Sequence, residues 1–267
     1  MCVIVYKPKD TKMPDYETLK NCFENNGDGA GYMFAHGGRV HIVKGLMTLE
    51  DFIKSLVSTV TKYGQDIAYV LHFRISTQAG VRKDGTQPFP LSKSMNELRK
   101  LKTSCNFGVA HNGIIYLTSS VKKDVTYSDT MEFITDYLSL IIRDRDYYKD
   151  ADTLTLIERL SESRLAILDG GGHCELTGEG WILDDGIYYS NDGYLPARML
   201  YRDFFLFDGE NYYCPVCEDG DDSWCAACVN YDYCYFGVGP EAAETVEIAG
   251  AEDKKLKLLD SYGGRRV

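Results

Sequence analysis

Cys2 stands directly behind Met1 and leads the apolar run Val3-Ile4-Val5-Tyr6. A small residue in second place normally allows the initiator to be trimmed, leaving Cys2 with a thiol and a free α-amine. The amine titrates near about pH 8 and the thiol near about 8.5, so both exchange protons close to neutrality. A thiolate that attacks and an amine that takes and returns the proton make a one-residue catalytic centre. The same position also suits a small buried cysteine at the start of a strand.

Other residues could serve such a nucleophile. In Ala110-His111-Asn112-Gly113 an Asn amide and the following glycine N–H can point at one oxygen, the parts of an oxyanion hole. Asn-Gly is equally the signature of a type I′ hairpin turn. Arg74 closes the apolar stretch Leu71-His72-Phe73, and its planar fork fits a substrate carboxylate or a structural salt bridge. Asp129, with Glu132 three residues on, reads as a capping box at a helix start, one of Ser128 and Asp129 being the expected cap, and the Asp129 carboxylate could also bind an ammonium group.

A separate group of sulfurs lies near the other end. Cys214-x-x-Cys217 and Cys225-x-x-Cys228 are separated by seven residues. Each turn can present two thiolates to one face, and four complete a tetrahedral zinc site. Reduced free cysteines and disulfides are the alternatives, and Cys234 could substitute as a ligand. A site closed by four thiolates has no open position, so its expected role is structural. The surrounding Tyr212, Tyr213, Trp224, Tyr231 and Tyr233 read as packing or as a partner surface.

The elements that must position these groups alternate irregularly. Strands are expected over residues 2–6, 32–35, 39–43, 67–73 and 107–110, with His36-Gly37-Gly38 as a hairpin turn. Thr48 to Tyr63 reads as an amphipathic helix with Leu49, Phe52, Ile53, Leu56 and Val60 on one face. Further helices are expected over 16–24, from Ser128 to Ile142 and over 154–160, and a strand meander over 164–168, 181–183 and 187–190. The glycine turn of residues 25–31 lacks the Lys-Ser/Thr of a phosphate loop, and its glycines should let the backbone pass close to the Cys2 strand. The layout is α+β.

The 267 residues allow one large domain plus a small module, and 44% hydrophobic with 26% charged residues is ordinary for a globular protein. A net charge of -11 argues against a broad nucleic-acid surface. No apolar run reaches the roughly 18 residues of a membrane span, and residues 1–6 lack the parts of a signal peptide. The expected setting is the cytoplasm, with neither nucleic acid nor membrane as partner.

Taken in order, Cys2, Gly27-Asp28-Gly29-Ala30-Gly31, His72-x-Arg74 with Thr77, Ala110-His111-Asn112-Gly113 and Ser128-Asp129-Thr130 resemble the class II glutamine amidotransferase domains, which are N-terminal-nucleophile (Ntn) hydrolases. The resemblance spans about residues 2–195. It implies a four-layer αββα sandwich over residues 2–205, followed by a small four-cysteine zinc-binding module over 206–240 and a tail over 241–267. It also implies release of ammonia from glutamine through a γ-glutamyl thioester on Cys2, with the Cys2 amine as base. Asn112 and Gly113 would form the oxyanion hole. Arg74 and Thr77 would bind substrate, Arg74 at the α-carboxylate, and Asp129 would take the α-amine. No organic cofactor is implied, and ammonia would pass to a separate acceptor enzyme.

Where the family carries Trp-Ala-Thr-His-Gly after the arginine, this chain has Ile75-Ser76-Thr77-Gln78-Ala79, and Gln87-Pro88 replaces a His-Pro. Two alternatives follow: an Ntn hydrolase for a different amide, and an inert Ntn-like scaffold that binds a protein partner through its zinc module.

Overall fold

In chain order the strands are β1 (Val3–Lys7), β2 (Ala30–His36), β3 (Arg39–Leu46), β4 (Tyr69–Phe73), β5 (Phe89–Pro90), β6 (Lys102–Cys105), β7 (Phe107–Asn112), β8 (Arg164–Asp169), β9 (Cys174–Thr177), β10 (Ile182–Asp184) and β11 (Ile187–Tyr189). They form two sheets, one ordered β10-β11-β1-β4-β2-β3-β6 and one ordered β5-β7-β8-β9. Every neighbouring pair is antiparallel. The helices are α1 (Tyr16–Asn25), α2 (Leu49–Tyr63), α3 (Met95–Leu98), α4 (Tyr116–Ser119), α5 (Asp129–Phe133), α6 (Ser139–Ile141) and α7 (Ala151–Ser161).

This computed structural model describes residues 2–75, 81–119, 127–144, 146–196, 206–207 and 212–213. The chain divides into one unit of Met1–Pro14 with Cys22–Tyr194 and a second of Asp15–Asn21 with Leu195–Val267. In the second unit, Leu206–Phe207 pairs with Tyr212–Tyr213 as a short antiparallel ladder. The cysteines expected to bind zinc, and the tail after them, lie outside the described residues.

Side-chain alternation sorts the first unit into layers of contact. Ile4, Met33, Ala35, Val40, Ile42, Ala68 and Val70 of the large sheet meet Ala110, Ala166 and Leu168 of the small one in a single buried cluster. The intervening residues face away: Phe107, Val109, Leu165 and Ile167 pack with Met131, Phe133, Ile134, Leu138 and Ile157 from the helical segments. On the outer face of the large sheet, Tyr32 and Phe73 meet Phe52 of α2, and Phe23 joins them. This is the period-2 pattern of strands buried on both faces.

Local chemistry sets the element ends. Thr48 Oγ1 accepts the Asp51 N–H at 3.1 Å to cap α2, which buries Phe52, Ile53 and Leu56, and Gly64 at φ 88° ends it. Gly37 and Gly38 both adopt positive φ, as the two-residue loop between β2 and β3 requires. Ser128, not Asp129, caps α5 by accepting the Met131 N–H at 3.2 Å. Met131 rather than Glu132 is then the third helical residue, so the expected capping box does not form.

Three expectations are corrected. Asn112-Gly113 is no hairpin turn, because β7 pairs with β5 and β8 and runs on toward α4. The meander splits, with β8 and β9 in the small sheet and β10 and β11 in the large one. The glycine turn does not pass the Cys2 strand, because β4 lies between β1 and β2. It meets Arg74 instead: the Asp28 N–H donates to Arg74 O at 3.0 Å and the Arg74 N–H to Gly29 O at 2.9 Å.

Gly31 shows why a glycine is needed there. A Cβ on it would lie 2.3 Å from Gln87 O and 2.6 Å from Lys44 Cβ. Gly31→Ala should therefore cost about 1–3 kcal/mol through overpacking. Thermal unfolding checks this, and a variant melting with the wild type would show that the Gln87 segment is free to shift.

Candidate active site

The β1–β4 ladder pairs Val3 with Phe73, so one step beyond it Cys2 falls opposite Arg74. There the Ile75 N–H donates to Cys2 Sγ at 3.4 Å, and the thiol lies 3.5 Å from Ile75 O. On the other side of β1 the end of β11 holds the same residues. Asn191 Nδ2 donates to Cys2 O at 2.8 Å, and Ser190 Oγ accepts the Ile4 N–H at 2.8 Å. Asn191 is itself fixed, its Oδ1 accepting the Gly193 N–H at 2.9 Å.

Alternation then aims the side chains. Cys2 continues the face of Ile4, and Asn112 that of Ala110, so both look into the gap between the sheets. They share an open cleft of about 610 Å³ with Ile75, Gly113, Ile114 and Tyr116 on one side. Glu158, Glu162, Ser163, Arg164 and Glu179 line the rest. Gly113 adopts φ 140°, and a Cβ on it would lie 2.6 Å from Ser163 Oγ, so the turn that carries its N–H requires glycine.

Burial pushes the Cys2 thiol above its ordinary pKa. The Ile75 N–H, the positive amino terminus and Arg74 oppose that rise, while Asp129 adds to it. Arg74 is buried and its guanidinium fronts a narrow crevice with Arg82, Asp84, Gly85, Arg99, Ser128 and Met131. It acts on Cys2 by charge and is not among the residues lining the cleft. Thr77 lies outside the described residues.

Behind the cleft runs a chain of buried donors. His72 Nε2 donates to His111 O at 3.0 Å, and His111 Nδ1 contacts Thr130 Oγ1 at 2.8 Å. The Thr130 hydroxyl donates to Asp129 Oδ1 at 3.2 Å, and Asp129 Oδ2 accepts the Ile115 N–H at 2.9 Å. Since that hydroxyl's proton goes to Asp129, His111 must carry its own on Nδ1. Gln87 Oε1 accepts the His111 N–H at 2.7 Å. Asp129 thus ties the backbone just after Gly113 to the start of α5.

Sequence reading missed the Ser190-Asn191 pair, whose only local signal is a Ser-Asn at a strand end. It also gave no role to the His72–His111–Thr130 chain. Among the described residues no three His, Cys, Asp or Glu side chains gather into a metal site. No helix among them is long and apolar enough to cross a membrane.

No protein-family model matches the chain. No curated protein matches it either. Among solved structures it is similar to one described as the allosteric regulatory enzyme of purine biosynthesis, at 16% identity and a TM-score of 0.41. The match covers 71% of this chain and 41% of that one, so the chain spans about two fifths of that enzyme's length. No family assignment follows from it.

The buried imidazoles set an acid limit on the site. Burial is the first cause that lowers His72 to about 3 and His111 to about 4. The nearby positive charges of Arg74 and Lys44 add to the effect at His72, and Asp129 opposes it at His111. Unfolded, both titrate near about 6.5, so below that pH the unfolded chain binds more protons. Stability is full above about 6.5 and is lost as pH falls toward 4 and then 3, by roughly 1.4 kcal/mol per unit per histidine. Melting temperature should drop steeply over that window, and His111→Asn, whose amide can replace the Nδ1 donor, should flatten it. A flat profile in the wild type would contradict the neutral assignment.

Proposed function

We propose that this protein is an Ntn amidohydrolase of the class II glutamine amidotransferase kind, built as an αββα sandwich and acting through Cys2 once Met1 is removed. The observation that carries this reading is the cleft that Cys2, Asn112 and Gly113 line together. The succession of helix, sheet, sheet and helix contacts supports the fold.

In the proposed reaction the α-amine of Cys2 takes the thiol proton and Sγ attacks the amide carbon of glutamine. Asn112 and the Gly113 N–H receive the oxyanion. Collapse breaks the C–N bond, the ammonium returns its proton to the leaving nitrogen, and ammonia departs from a γ-glutamyl thioester. Water, deprotonated by the same amine, then releases glutamate and restores the thiol. Ammonia passes to a separate acceptor. Arg74, Thr77 and Asp129 are the proposed contacts for the substrate's α-carboxylate and α-ammonium.

A specific observation favours a second reading, an amide larger than free glutamine. The cleft is roomy, its charged lining is three glutamates against Arg164, and Arg74 lines a different crevice. Such a lining fits an amide joined to a cationic group. Comparing ammonia release from glutamine and from glutaminyl peptides with amine release from γ-glutamyl amines decides between the two.

Zinc bound by Cys214, Cys217, Cys225 and Cys228 is proposed as a structural ion of the second unit. Native intact-mass spectrometry tests both proposals at once. The expected species lacks Met1, carries one zinc and gains one adduct at Cys2 from a glutamine-directed electrophile. Cys2→Ala should lose the adduct and all turnover while melting near the wild type. Turnover by protein that retains Met1 would refute the mechanism.

A further inference from the structure

The Ser190 hydroxyl sits where the nucleophile strand and the oxyanion residue meet. Its Oγ accepts the Ile4 N–H at 2.8 Å and lies 3.0 Å from Asn112 Nδ2, which is placed to donate to it. The Ser190 N–H in turn donates to Ile4 O at 2.9 Å, locking β11 to β1. Ser190 is 0% exposed and Asn112 2% exposed, so both are shielded from bulk water.

The donor count in that arrangement does not close. Ser190 Oγ receives two N–H groups while its own proton meets no acceptor among the described residues. At the same time Asn112 Oδ1 is buried with no donor. A buried acceptor left without a donor is destabilising. Turning the Asn112 carboxamide by 180° lets Ser190 donate its proton to Oδ1 and still accept from Ile4, and it leaves the Nδ2 donors at the position Oδ1 held, where a bound oxyanion would accept from them. The turn also moves both Asn112 N–H groups to the other end of the amide, on a residue that lines the Cys2 cleft.

Building on the amidohydrolase reading, we propose that Ser190 is a positioning residue that sets the Asn112 carboxamide with its N–H groups toward the oxyanion. Ser190 touches neither substrate nor reacting atoms. It acts by accepting from the backbone two residues beyond Cys2 and donating to Asn112, which fixes the oxyanion donor relative to the nucleophile. A hydroxyl is required because it alone can accept from Ile4 and donate to Asn112 through one atom.

The test separates oxyanion stabilisation from thiol reactivity. p-Nitrophenyl acetate acylates Cys2 through an oxyanion, the thiolate displacing p-nitrophenolate to leave an acetyl thioester, and does not depend on the natural amide. Iodoacetamide alkylates the same thiolate by displacing iodide, and no oxyanion forms. Both adducts are quantified at Cys2 by peptide mass spectrometry in protein lacking Met1.

Ser190→Ala should slow acylation about 10²-fold and leave alkylation within about twofold. Ser190→Thr should restore most of the acylation, and adding Ser190→Ala to Asn112→Ala should cost nothing further. Asn112→Asp, which retains the shape, keeps the test open if Ser190→Ala unfolds. With N–H groups facing the oxyanion it should lose acylation about 10²-fold, whereas with Oδ1 already facing it the rate would barely change. Acylation unchanged in Ser190→Ala, equal loss of acylation and alkylation, or multiplicative costs in the double variant would each overturn the role of Ser190 alone. A Cys2 that reacts with neither reagent would overturn the amidohydrolase reading and this inference with it.

Discussion

The two sheets can close on one another because the side chains between them are small. Ala35 and Ala68 of the large sheet and Ala110 and Ala166 of the small one share the inter-sheet cluster. Gly108 sits so tightly under Met33 that a Cβ there would lie 2.4 Å from its sulfur. Close packing of this kind leaves no slack for register error, since a one-residue slip turns a whole strand face outward. Cys2 shares its face with Ile4, Asn112 with Ala110, and His72 with Val70. The gathering of chemical groups at one end of the gap is therefore a consequence of how the apolar residues pack along its length.

At that end the packing changes from apolar to polar without becoming wet. His72, His111, Gln87 and Thr130 are all buried; donation passes from His72 through His111 and Thr130 to Asp129, which also accepts the Ile115 N–H, while Gln87 accepts the His111 N–H. Such a chain tolerates burial because each donor has an acceptor, while the leftover imidazole nitrogens carry lone pairs rather than protons. Burial keeps both rings neutral, and the chain holds the backbone that follows Gly113. The same segment is braced from outside, where Ser163 Oγ donates to Ile114 O at 3.1 Å. The Asn112-Gly113 turn is thus clamped between α5 and the segment leading into β8.

Local features of this fold were legible in the sequence. The amphipathic helix α2 and the Gly37-Gly38 loop are each decided within a few residues and form as read, with Phe52, Ile53 and Leu56 of the expected stripe of Leu49, Phe52, Ile53, Leu56 and Val60 buried. Cys2, Asn112 and Gly113 were legible because their types are chemically unusual at strand ends. What could not be read were the partnerships across the chain. The short β6 and β9 are mostly polar or half-buried and carry little pattern, and the split of the meander depends on which sheet has a free edge. Ser190 and Asn191 bond to residues nearly the whole domain away, at Ile4 and Cys2, so no window of sequence contains both partners.

The environment of the Cys2 thiol narrows the choice of base. Burial outweighs the Ile75 N–H and Arg74, so the thiol is held above its ordinary range, and in the proposed reaction it would need a proton acceptor of similar strength. His72 and His111, lowered to about 3 and about 4, are far too weak, and neither lines the cleft. Side-chain carboxylates in general are bases several units too weak for a thiol. A free α-amine, near about 8, matches the thiol in strength, and on Cys2 it would sit two bonds from the carbon bearing the sulfur. Trimming of Met1 would then bring base and nucleophile into being on one residue. The strand contacts that hold Cys2, through Ile75 on one side and Asn191 on the other, grip its sulfur and its carbonyl, leaving the amine end as the part that trimming exposes.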